Sequence, residues 1–191
     1  MSPADTKEAL LDATATLLVE GGLGEATTQK VGHRAGVAEG TIYRHFPSKE
    51  ALLEAVFARA WARLNDGILE RLPPKEAPDR RLRAYLGATL GTMGAQPVEA
   101  SLLRLEFAFL VAKAKGHCPV PAGSHRFIAD LEAAIRLAQT AGTARPTLDP
   151  AVTATFIYNG ISKTWAGLPP GVDPAHLFTG VQTFLDAALF A

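Results

Sequence analysis

Apolar residues recur along most of this chain at intervals of three and four, the spacing that lines one face of an α-helix. Leu10, Ala13, Leu17 and Leu18 form the first such run, with Asp5 as the expected N-cap and Gly21-Gly22 as its stop. A second helix is expected through Val31 to Ala35, with Thr28 placed to cap it. Gly36 then supplies a turn position that needs positive φ, and Val37 plugs the small core beneath. The third helix is short, about Ala38 to His45, with Ile42 and Phe46 turned inward. After Pro47, Ser48 caps a long fourth helix on which Leu53, Phe57, Leu64, Ile68 and Leu72 share one face as far as Pro73-Pro74.

The pattern continues. Leu82, Leu86, Leu90 and Met93 mark a fifth helix after Pro78-Asp79. A sixth, about Pro97 to Lys115, is apolar on nearly every side, which predicts a central, buried helix. Arg104 and Glu106 interrupt it, and a buried charge is costly unless paired. Ile128, Leu131, Ile135 and Ala138 give a seventh helix. Asp149-Pro150 and Asp173-Pro174 each offer a capping carboxylate followed by a proline at the first helical position, opening the eighth and ninth. On the eighth, Val152, Phe156 and Gly160 fall on one line beside Ile157, Ile161 and Trp165. The ninth carries two stripes: Leu177, Val181, Phe184 and Ala188, then Phe178, Leu185 and Leu189. Two apolar stripes on one terminal helix exceed what a small core covers, so a two-fold homodimer through about 149–168 and 173–190 is expected. With no period-2 run of β-branched residues, the fold class is all-α, about nine helices.

Composition changes this picture only locally. With 48% apolar and 20% charged residues the chain reads as globular, and 19 basic residues cancel 19 acidic ones. Within residues 28–49, however, Lys30, Arg34, Arg44 and Lys49 face Glu39 alone. A basic patch on a neutral chain suits a small phosphate footprint. The single cysteine, Cys118, fits a reducing cytoplasm, and no secretory leader or membrane-spanning run is visible.

Two short helices joined by a Gly-containing turn constitute a helix-turn-helix, which lays its second helix in the DNA major groove. The residues around it resemble the DNA-binding domain of the TetR/AcrR family of bacterial transcriptional regulators. The matching words are Thr28, Ala35-Gly36-Val37, Gly40-Thr41-Ile42-Tyr43, and His45-Phe46-Pro47-Ser48-Lys49-Glu50. The chain departs from the family's pattern at Ala38, where Ser often caps the third helix, and at Gly32, where Ala is usual. The resemblance implies a DNA-binding domain over 1–47 and a ligand-binding and dimerisation domain over 48–191. It also implies phosphate contacts from Thr28, Tyr43, His45 and Lys49. The candidates to face base edges are Gln29, His33, Ala38, Glu39, Thr41 and Arg44, with phosphate as the other reading of Arg44, and Gly40 allows close approach to the DNA.

The implied function is a transcriptional regulator, most often a repressor, released from operator DNA by a small, largely apolar ligand. Arg104, Glu106, Phe107, Tyr158, Asn159 and Trp165 are the candidate ligand-pocket residues, with a salt-bridge network or an exposed helix edge as the other reading of Arg104 and Glu106 and core or dimer packing that of the aromatics. An all-α dimeric enzyme, or a helical dimer without DNA binding, is the alternative. No nucleophile elbow, P-loop or dinucleotide fingerprint supports an enzyme, and no cofactor is called for. His117, Cys118 and His125 cluster near one loop, but their spacing matches no zinc pattern, so no metal is expected.

Overall fold

The computed structural model describes residues 2–73, 77–113, 122–166 and 174–190. Among them the elements are α1 (Pro3–Gly21), α2 (Thr28–Ala35), α3 (Glu39–His45), α4 (Lys49–Arg71), α5 (Pro78–Ala95), α6 (Pro97–Lys113), α7 (Ser124–Thr140), α8 (Pro150–Ala166) and α9 (Pro174–Leu189). Only an isolated bridge between Ala144 and Phe190 interrupts this all-α architecture among the described residues. No helix among them is long and apolar enough to cross a membrane.

Local chemistry sets most helix ends where the sequence places them. Ser48 accepts a hydrogen bond from the Ala51 N–H at 3.1 Å and so caps α4. Asp149 does the same for α8 through the Val152 N–H at 2.9 Å. Two expected caps move. In α1 the N-cap is Ser2, and Asp5 sits three residues inside, completing a reciprocal capping box. In α2 the cap is Thr27, whose hydroxyl accepts from the Lys30 N–H, which releases the Thr28 side chain for another partner. Asp173, His117 and Cys118, and the side chains of Trp165, Leu177 and Phe178, lie outside what is described.

Buried residues collect in two apolar clusters. One joins Leu10, Leu18, Val31, Ile42 and Phe46 to the first half of α4, from Leu52 to Ala60. The other joins Trp61 to Leu72 of α4 with α5, α7, α8 and the end of α9. Thus α4 belongs to both, and its allegiance changes between Ala60 and Trp61. Helix α6 lies across this junction: Leu102 is buried in the first cluster, while Leu103 packs against both. The ring of Phe57 on α4 meets that of Phe109 on α6 at 5.7 Å.

The expectation of a central, buried α6 needs correction. Only Ala100, Leu102 and Glu106 are buried on it, while Val98 and Val111 are exposed. A helix that is apolar all round shows that any face can be covered, not that neighbours exist on every side. Arg104 is exposed as well, so the charge that α6 buries is Glu106.

Candidate nucleic-acid interface

The angle between α2 and α3 is made by three residues. Gly36 adopts φ 69° and ψ 30°, a left-handed conformation that costs glycine least. Its N–H and that of Val37 both reach back to the Gly32 carbonyl. Gly32 in turn lets the two helices meet closely: a Cβ there would lie 3.0 Å from the Val37 carbonyl oxygen. Ile42 and Phe46 then anchor α3 from its inner side.

The outer side is left to solvent. Gln29, His33, Ala38, Glu39, Gly40 and Arg44 are exposed, and Tyr43 is 53% exposed. Thr28, Thr41, His45 and Lys49 are half-buried along the edge. All of these expected DNA-contact residues therefore border one continuous region of α2, α3 and the start of α4. Within it the Thr28 hydroxyl donates to the Glu39 carboxylate, a bond from α2 to α3. Ala38 is the N-cap of α3 and offers no side-chain hydrogen bond, so this cross-helix bond fastens the end of α3 that lacks a cap. Gly40 has open space where a Cβ would stand. The chain's own packing does not explain a glycine there.

Charge is redistributed relative to the sequence count. Lys30 pairs with Glu25 at 2.5 Å and Arg34 with Glu20 at 2.8 Å. The Glu20 hydrogen bond pushes the already high Arg34 pKa further up. Both acids lie just outside the 28–49 window, which is why counting within it overstated the patch. Arg44 and Lys49 form no ion pair among the described residues, and they carry the positive charge of this face together with the α2 N–H groups.

The expected ligand-pocket residues do not gather as a set. Tyr158 lines an apolar cavity with Trp61, Leu64, Met93 and Phe127, and Glu106 bonds to Trp61 at its edge. Phe107 is half-buried beneath the Lys163 ammonium, 6.0 Å from the ring centre, and the Asn159 amide donates to the Thr155 carbonyl of its own helix. Arg104 faces solvent. Trp61 and Phe127 escaped the sequence reading because each looks like an ordinary core aromatic. Among the described residues no cluster of His, Cys, Asp or Glu would hold a metal ion.

Residues 10–56 match the family model described as bacterial regulatory proteins, tetR family. The HTH-type transcriptional regulator BetI of Escherichia coli is 34% identical over 102 residues, covering 52% of this chain and 51% of that protein. The HTH-type transcriptional repressor KstR of Rhodococcus jostii is 33% identical over 110 residues, covering 58% and 51%. The chain thus spans about half the length of the curated relatives it matches, and both are named as regulators rather than enzymes. In fold it is similar to the fatty acid degradation regulator FadR from Bacillus halodurans, with TM-score 0.78, 21% identity, and 97% and 95% of the two chains covered. A TetR-family transcriptional regulator from Agrobacterium tumefaciens superposes with TM-score 0.75 at 19% identity over the whole of both chains. Over residues 10–56 the chain is similar to the TetR family of bacterial regulatory proteins, and the helix-turn-helix of α2 and α3 lies within that matched stretch.

Proposed function

We propose that the protein is a DNA-binding transcriptional regulator, a repressor that leaves its operator when a small molecule enters the helical lobe after α3. One observation carries this reading. The residues of α2, α3 and early α4 that the family uses on DNA border a single face, and Gly40 on it has no reason in the chain's own packing. Thr28, Tyr43, His45 and Lys49 hold phosphates, and Gln29, His33, Ala38, Glu39, Thr41 and Arg44 meet base edges. Residues 1–47 form the reader and 48–191 the sensor, with α4 shared between them.

Binding proceeds as a homodimer through α8 and α9. Val152, Phe156 and Phe184 are 68%, 67% and 60% exposed. Phe156, Gly160, Gly180, Val181 and Phe184 border one apolar trough between the two helices. Large apolar side chains grouped this way are costly in water and suit a second copy of the same face. A face with few cations grips DNA weakly alone, so doubling the reader is part of the binding mechanism.

Gel shifts with promoter DNA flanking the protein's own coding region test the reading. Specific, steeply salt-dependent retardation is expected, and it is lost when Tyr43→Ala and Lys49→Ala are combined. Retention of full binding in that double variant would remove α3 and α4 from the interface.

A further inference from the structure

Glu106 is the one charged side chain that is buried among the described residues, at 7% exposure. Its hydrogen bond there comes from a neutral donor: the Trp61 Nε1–H gives to Oε2 at 2.7 Å. A carboxylate has room for about four such bonds, and an indole brings no countercharge. Arg104, two residues earlier, faces solvent and does not supply one. The carboxyl is therefore held out of water without a countercharge, which disfavours its ionised form until a cationic partner arrives.

Trp61 connects this carboxylate to a cavity. The same indole walls an apolar space of about 30 Å³ with Leu64, Ile68, Met93, Phe127 and Tyr158. The Trp61 and Tyr158 rings are 6.1 Å apart, as are those of Phe127 and Tyr158. Aromatic faces beside a carboxylate attract an organic cation, because ring quadrupole and carboxylate act with the same sign. The aliphatic remainder of the wall takes a hydrocarbon chain. A neutral ligand would leave the carboxylate as it stands, and an anionic one would be repelled by it.

Resting on the reading of this lobe as a sensor, we propose that the effector is a protonated apolar amine whose ammonium takes the place of Trp61 as the partner of Glu106. The cavity holds little more than a water molecule, so a hydrocarbon chain enters only if the indole moves. Trp61 is not free to move alone: it packs so closely on Gly123 that a Cβ there would lie 2.2 Å from its Cδ1. It is also the first residue of α4 to belong to the C-terminal cluster, directly after Ala60 of the other. Displacing Trp61 thus acts on α4 where it passes from sensor to reader.

Octylammonium, 1-octanol and octanoate share one chain and differ in charge, and they form the test on the full chain. Tryptophan fluorescence and thermal shift report binding, and a gel shift on operator DNA reports release. Octylammonium is expected to bind at least about tenfold more tightly than octanol, the range of one charged hydrogen bond, with octanoate weakest. Glu106→Gln, which still accepts from Trp61, should lose the preference for the amine while octanol binds as before. Should that variant fail to fold, Tyr158→Leu keeps the carboxylate and should weaken octylammonium more than octanol. Octanol or octanoate matching the amine, no binding by any of the three, or a preference unchanged in the variants would overturn the proposal. If no operator is retarded, the regulator reading fails, and fluorescence still scores the amine. If operator is retarded but the amine does not bind, only the effector assignment falls.

Discussion

Burial pushes the Glu106 carboxyl up from its ordinary 4.5 to about 7, against a smaller downward pull from the Trp61 hydrogen bond. Between those values the folded chain holds a proton that the unfolded chain has lost. The contribution of this group to stability is therefore fully present below pH 4.5 and declines as pH rises through 7, by at most about 3 kcal/mol. Glu106→Gln removes the charge, so its urea midpoint should exceed that of the parent at pH 8, and the gain should vanish near pH 4.5. Two glycines predict opposite behaviour. Gly123→Ala drives a Cβ into the buried Trp61 side chain and should destabilise by roughly 1–3 kcal/mol in the same assay. Gly40→Ala meets nothing within the chain, so it should stabilise α3 by up to about 1 kcal/mol while weakening operator binding at least tenfold in gel shifts. A glycine at position 40 was legible as a feature of the reading face. That position 123 must be glycine was not, because its reason is a tryptophan sixty-two residues earlier.

Helix α4 shows how elements divide between local and tertiary causes. Its start at Ser48, its stop at Leu72 and its apolar face were readable, because capping and periodicity are local. Its division between two clusters was not, since a single apolar stripe does not say which neighbours cover its two halves. Phe57 is 1% exposed within the cluster shared with α1, α2 and α3, and Phe57→Ala should cost about 3–5 kcal/mol, measured by urea unfolding. The shift of the α2 cap from Thr28 to Thr27 has a similar cause. Either threonine can cap, and the choice follows from Thr28 bonding to Glu39 on the next helix. For α6 the same limit produced an error of kind: an all-round apolar pattern predicted burial, and the chain covers only part of it.

At the scale of the molecule, ion pairs gather where the two apolar clusters meet along α4. Arg59 on α4 reaches Glu8 and Asp12 of α1, both at 2.9 Å, and Arg63 reaches Glu99 of α6 at 3.2 Å. These pairs hold α1, α4 and α6 together around the point where α4 changes cluster. The exposed trough of α8 and α9, the proposed subunit interface, lies apart from them, so disrupting it should leave the fold intact. Phe156→Glu combined with Phe184→Glu is expected to sediment as a monomer, to melt cooperatively, and to bind operator at least tenfold more weakly. The stripe that includes Val181, Phe184 and Ala188 was distinguishable from that of Leu185 and Leu189 in sequence. Which of them faces outward was not: Leu185 and Leu189 are buried and Phe184 is exposed.

The sequence by itself determined what depends on neighbours within a few residues. That includes the helix periods, most of the caps, the positive-φ turn at Gly36, and the ordered words from Thr28 to Glu50 that carry the family resemblance. Tertiary structure alone decided what depends on residues far apart along the chain. It paired Lys30 and Arg34 with acids outside the motif and thinned the basic patch. It left Arg104 in solvent and buried Glu106 against Trp61. The physical reason is the same throughout: periodicity and capping are properties of one segment, whereas burial, countercharge and cavity walls exist only once several segments are packed together.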